Sequence, residues 1–440
     1  MSLHRKEEQK MNQLLCERNR NKIFILYLCI SLILLFQDIL QQYFLIFKWS
    51  DEVIGVVLLP ITFLLFYTNS ATFYKEEKII IVASILLVIV GLCSSFINKY
   101  QSNSAVIADL IITIKFLGAY FFARSFFNKL VLRDYFKYIK ITFRIITALI
   151  FIVTILDIVL NIFPKSDKRF FIYSEKLLFF HPMYLGLFCM VVLVYLTLVS
   201  DDKPIDYLFM GQIVLVCISS MRAKAIGILV VFFLLAVFLR KGNIIKPSYI
   251  ISVLLILTLV FIPQLDKYYI KDQDSPRAAL TRTSFEIAGR FFPLGAGFGT
   301  YGSYISSEYY SPLYYEYRLN EIWGLEETNI SFITDTFWPV ILGQFGYIGL
   351  ALFIVIVSCF ALLIKRLLVL NKKYFFFAAI PFLYILIAST AETSFFNYYS
   401  PHFFILIGIT INQINIKINA DINAKKAEIK SAIQYAELEV

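Results

Sequence analysis

A break in hydrophobicity constrains this chain more than any other feature. From Lys22 to Asn412 the sequence is almost continuously apolar at membrane grade, except for about 70 residues between Gln264 and Asp335. That polar stretch holds four arginines, Arg277, Arg282, Arg290 and Arg318, and the glycine run PLGAGFGTYG from Pro293 to Gly302. It also holds seven tyrosines between Tyr301 and Tyr317. A long loop of this composition between apolar segments implies a ligand. Cations, glycines and aromatics together suit an anionic, sugar-bearing molecule better than an ion or a small apolar solute.

The remaining composition fixes the class. Of 440 residues, 59% are hydrophobic and 16% charged, an excess of apolar side chain that no soluble core requires. The expectation is an all-α polytopic membrane protein, one integral membrane domain over residues 1–440. A span needs about 20 apolar residues. Candidates lie near 23–46, 53–68, 79–97, 105–123, 141–163, 183–199, 205–220, 225–240, 249–263, 337–364, 374–391 and 397–413. Twelve spans put both termini on one side. The segments on that side hold 25 of the 41 lysines and arginines, against about 8 in the opposite short loops. By the positive-inside rule the termini are cytoplasmic and 264–335 is a long extracytoplasmic loop between the ninth and tenth helices. The net charge of +10 then reflects topology, and nucleic acid is not an expected partner. Membrane lipids are. The tail 414–440, with isoleucines on one helical face, reads as a cytoplasmic amphipathic helix lying on the membrane.

The six cysteines are scattered, without metal-ligand spacing or a disulfide framework. No metal and no cofactor is expected. Arg222 and Lys224 sit in a four-residue connection between two short spans. They read either as cations facing a cavity at a partly buried site or as side chains snorkelling to headgroups. Asp109, Lys115 and Asp157 fall within spans, where an unpaired charge is costly; by depth, a Lys115–Asp157 ion pair is expected.

Several segments carry a family resemblance. RTSFEIAGRFFPLGAGFG (Arg282–Gly299) is similar to the Arg-led PLxGxGxG element of bacterial O-antigen polymerases and ligases. DTFWPVILGQFGYIGL (Asp335–Leu350) resembles the stretch opening the next helix in Wzy-type polymerases of capsule and exopolysaccharide systems. SSMRAKAIG (Ser219–Gly227) stands where the family has a Ser-Arg hairpin. RFFIYSEKLLFFHP (Arg169–Pro182) resembles its loop ending in a His-Pro pair, and Asp51-Glu52 resembles the polymerases too. Two departures matter. Gly295 follows Arg282 by thirteen positions, where some polymerases show eleven. Where ligases carry a His eleven residues before a Gly-x-x-Gly, this chain has Asp335, which favours polymerase over ligase.

The resemblance implies a metal-independent, inverting glycosyltransferase in the bacterial cytoplasmic (inner) membrane. Its substrate is a polyprenyl-diphosphate-linked (undecaprenyl-type) oligosaccharide repeat, and a flippase and a chain-length regulator of the same pathway are its partners. An O-antigen ligase, or a flippase without catalysis, is the alternative. Guanidinium groups suit the departing diphosphate because they bind oxyanions bidentately and stay charged. Arg222, Arg282 and Arg290 are the candidates, with solvated surface charge the plain alternative for each. Asp335 is the candidate base toward the acceptor hydroxyl; Asp is also a favoured N-cap, and a cap of the next helix is the plainer and compatible reading. Substrate contacts are expected from Arg169, His181, Lys224, Asp51, Glu52, Tyr301 and the glycines Gly295, Gly297 and Gly299, whose backbones can approach a phosphate or sugar closely.

Overall fold

The computed structural model describes residues 2–68, 73–169, 172–241 and 275–438. Among the described residues the regular structure is helical, with one short hairpin pairing Lys168–Arg169 with Ile172–Tyr173 and an isolated bridge between Glu326 and Asn329. The helices are α1 (Ser2–Leu35), α2 (Gln37–Tyr43), α3 (Lys75–Asn98), α4 (Asn103–Phe126) and α5 (Phe136–Leu160). They continue as α6 (Pro182–Leu198), α7 (Pro204–Ser219), α8 (Ala223–Lys241), α9 (Pro276–Arg290), α10 (Trp338–Leu370), α11 (Lys372–Ala388) and α12 (Ser400–Leu438). Helical segments occupy the expected positions except 249–263, which lies outside the described residues. Five described helices are long and apolar enough to cross a membrane, or six with the α1–α2 pair. In hydrocarbon a helix is the form that satisfies every backbone group within its own segment, so the apolar runs become helices. The protein is a helical membrane protein.

Local chemistry sets where helices begin. Ser102 caps α4 by accepting a hydrogen bond from Ala105 N, and Ser275 caps α9 from Ala278 N with Pro276 in the first turn. His181 caps α6 through Nδ1, ahead of Pro182. These residues fill donors that a helix start leaves open.

Both chain ends leave the same end of the bundle, where Tyr135 Oη donates to Asn21 Oδ1 at 2.8 Å and Leu132 N donates to Gln413 Oε1 at 3.1 Å. The tail continues the last helix: α12 runs unbroken from Ser400 to Leu438.

The opposite end holds the breaks. The first span bends by 72° between Leu35 and Gln37. The polar sequence QDILQQY that follows is held by side-chain bonds: Gln37 Nε2 donates to Asp51 Oδ1 at 2.6 Å, and Asp38 Oδ2 accepts from Phe180 N at 2.9 Å. The second span is broken as well, into Leu45–Trp49, Ser50–Glu52, Val53–Val57 and Leu59–Thr68. It lies so close to α4 that a Cβ on Gly55 would come 2.8 Å from Lys115 Cα. That approach decides the partner of Lys115. Its Nζ reaches Asp51 at 2.5 Å and Glu52 at 3.1 Å. The expected Lys115–Asp157 pair is therefore wrong: Asp157 binds Lys165 at 2.8 Å, which also binds Glu175 at 2.7 Å.

The described part of the long loop is a folded cap with its own core of Ala279, Leu280, Ile287, Tyr301, Tyr310, Leu313 and Tyr314. The glycine run wedges it into the bundle. Gly346 leaves helical conformation inside α10 at φ 61°, which frees carbonyls of the preceding turn. Ala296 N donates to Gly343 O at 2.9 Å and Gly297 N to Gln344 O at 2.8 Å.

Candidate functional site

One polar cluster gathers at the loop end, where α8, α9, α10 and the α11–α12 connection meet. Arg277, in the first turn of α9, donates from Nη2 to Asp335 Oδ2 at 2.7 Å. Lys224, in the first turn of α8, places Nζ 3.5 Å from Glu392 Oε1 and 3.4 Å from Ala391 O. Lys224 also acts on Asp335 through space. Tyr399 Oη donates to Glu392 Oε1 at 2.9 Å. The order is cation, carboxylate, cation, carboxylate: Arg277, Asp335, Lys224, Glu392. A backbone bond from Thr393 N to Thr334 O, 3.1 Å long, ties the two carboxylate-bearing segments together.

Burial raises the Asp335 carboxyl above its ordinary range, while Arg277 and Lys224 pull it back down. The side chains of Arg277, Asp335 and Lys224 keep 19%, 24% and 23% of their surface exposed, so an anion or a hydroxyl can reach them. Tyr184 and Tyr398 lie beside the cluster with ring centroids 5.2 Å apart. His181, also at this end, accepts from Met183 N through Nδ1 at 3.2 Å.

Asp335 is not a helix cap. α10 starts at Trp338 after Phe337, which makes no side-chain cap bond; the Asp335 carboxylate points to Arg277 instead. The arginines selected from sequence lie elsewhere. Arg222 is forked onto Asp167, with Nη2–Oδ1 2.5 Å and Nη1–Oδ2 3.4 Å. Arg290 binds Glu316 at 2.5 Å and stacks on Phe291. Arg282 is exposed, with no ionic partner among the described residues. Arg169 belongs to the short hairpin, and its side chain lies outside the described residues.

Other expected substrate contacts are already used inside the protein. Tyr301 is fully buried, its hydroxyl donating to Leu280 O at 2.5 Å. That corrects its assignment: no face of the ring is open to a sugar. Gly299 N donates to Asp109 Oδ2 at 2.8 Å, a Cβ on Gly297 would stand 2.6 Å from Ser95 Oγ, and one on Gly295 would stand 2.7 Å from the Gln344 carbonyl. The glycines admit neighbouring backbone and helix, leaving no cradle for phosphate. Asp51 is buried between Gln37 and Lys115, and Glu52 keeps 18% of its side chain exposed. Two cavities, of about 380 and 610 Å³, lie apart from the cluster behind mainly apolar walls such as Val88, Leu117, Met210 and Phe232.

Sequence reasoning missed Arg277 and Glu392. Arg277 was one of four loop arginines with nothing to rank it above the rest. Glu392 had a usable signal, a single carboxylate between the last two apolar runs, where an ionised group is costly and marks function. No family model matches the chain, and no curated protein matches it.

Proposed function

We propose that this protein is a glycosyltransferase that polymerises polyprenyl-diphosphate-linked oligosaccharide repeats at the outer face of a bacterial cytoplasmic membrane. The observation that carries the reading is the alternating quartet Arg277–Asp335–Lys224–Glu392. It joins a bidentate cation, a point-charge cation and a partly exposed carboxylate at one place. An acceptor hydroxyl attacks the anomeric carbon of the donor, and the bond from that carbon to the diphosphate breaks. The leaving diphosphate gains negative charge, which Arg277 and Lys224 stabilise. Asp335 takes the acceptor proton. The sequence motifs of the polymerase family, Asp335 and the Ser219–Gly227 hairpin that carries Lys224 among them, point the same way.

The direct test is purified protein with a synthetic polyprenyl-diphosphate repeat: a ladder of products is expected, and a single transfer to a different acceptor would favour a ligase instead. Arg277→Lys keeps the charge and loses the fork. Removing one such oxyanion donor costs about 2.7–4 kcal/mol, roughly a hundredfold or more in rate. Arg282→Lys, on the exposed side of α9, is expected to retain wild-type ladders; equal activity in both variants removes Arg277 from the chemistry.

Orientation is tested separately. The lysine and arginine asymmetry puts the loop outside, so a cysteine replacing the exposed Glu308 is labelled by an impermeant thiol reagent in intact cells. One replacing Lys425 on the α12 extension is labelled only after lysis. The reverse pattern removes the outer-face mechanism.

A further inference from the structure

The base of the proposed reaction is held by the cations that the donor needs. Asp335 has Arg277 on it at 2.7 Å from α9 and Lys224 acting on it from α8. Glu392, on the α11–α12 connection, competes for Lys224 at 3.5 Å. Among the described residues these are the charged groups that act on the Asp335 carboxylate. Each cation stabilises the ionised form and so makes Asp335 a weaker base than its burial alone would.

We propose that the donor's diphosphate unmasks Asp335: entering the site, it draws Arg277 and Lys224 onto its own oxygens and leaves the Asp335 carboxylate free to accept the acceptor's proton. The proposal rests on the glycosyl-transfer reading and adds an order to it. A diphosphate carries more charge than a carboxylate and offers the Arg277 fork a bidentate partner, so the exchange is favourable. Both cations are about one-fifth exposed and need only short side-chain movements. In the transfer step the acceptor C–O bond forms and the donor C–O bond breaks. The polyprenyl diphosphate leaves with the electron pair, and the hydroxyl proton goes to Asp335.

The sign follows from the charges. Asp335 works deprotonated, so activity falls as pH drops through its pKa. Burial already raises that pKa, Arg277 and Lys224 hold it below what burial alone would give, and with the cations on the diphosphate it rises further.

The test uses purified full-length protein, with inorganic diphosphate as the probe. Carboxyl labelling by a carbodiimide and an amine is followed at the Asp335 peptide by mass spectrometry across a pH series. Since the reagent attacks the protonated carboxyl, the labelling midpoint reports its pKa, and simple occlusion changes the amplitude only. We expect diphosphate to raise the midpoint by about one pH unit or more, the usual scale of a neighbouring opposite charge. Arg277→Gln is expected to start with a raised midpoint and to respond less to diphosphate. A midpoint unmoved or lowered by diphosphate in the wild-type protein overturns the proposal. A product ladder without a midpoint shift removes this inference alone. A midpoint shift in protein that makes no ladder removes the polymerase reading and leaves the anion-linked carboxylate standing.

Discussion

Asp335→Asn is expected to fold, to reach the membrane in normal amount, and to lose long polymer by about 10²–10⁴-fold in rate, the typical loss when general-base assistance disappears. The amide keeps an oxygen that Arg277 can still bond at the present 2.7 Å, so the cap of the long loop stays attached to the bundle. Asp335 does not cap α10, and a partly exposed ion pair contributes only about 0–1 kcal/mol to stability. What the amide lacks is a negative charge to receive a proton. Cells carrying the variant should accumulate single lipid-linked repeats, seen by extracting the lipid fraction beside the surface polysaccharide. Wild-type chain lengths would leave Asp335 as an anchor for Arg277 and move the search for a base to Glu392.

The second large effect concerns stability. Lys115→Met strands two carboxylates, Asp51 and Glu52, that now sit 2.5 and 3.1 Å from the ammonium. Removing one partner of a buried ion cluster costs about 3–5 kcal/mol, because the remaining charges lose their compensation. The expected result is a sharply lower unfolding temperature in detergent, with most of the protein lost at the expression stage. Adding Glu52→Gln to Lys115→Met removes one stranded charge and should recover part of the loss. If Lys115→Met alone melts like the wild type, the broken second span is held by the close backbone approach of Gly55 to Gly118 of α4, and the ion cluster adds nothing to it.

Apolar runs legible in the sequence are helical in the described residues, while the helix Pro276–Arg290 formed inside the stretch read as a loop. Pro182, Pro276 and the serines at 102 and 275 stand at helix starts in the structure. The glycine run was legible as unusual, but its reason was not. Sequence says that backbone comes close at Gly295 and Gly297; it does not say whether a phosphate or a helix is the neighbour. Here the neighbour is α10, opened at Gly346.

The sequence by itself determined the class: a chain this apolar must hide its backbone groups within helices. Only the tertiary structure decided which charges meet. Arg277 and Asp335 are 58 positions apart, and Lys224 and Glu392 further still. Lys115 chose Asp51 and Glu52 over Asp157 because the broken second span crosses α4 at Gly55. The physical reason is that these helices are apolar nearly all round. A soluble helix shows in its polar stripe which face turns outward, whereas a helix bordered by lipid and by other helices carries no such stripe. Its rotation, and so the partner of each rare charge, is set by packing alone.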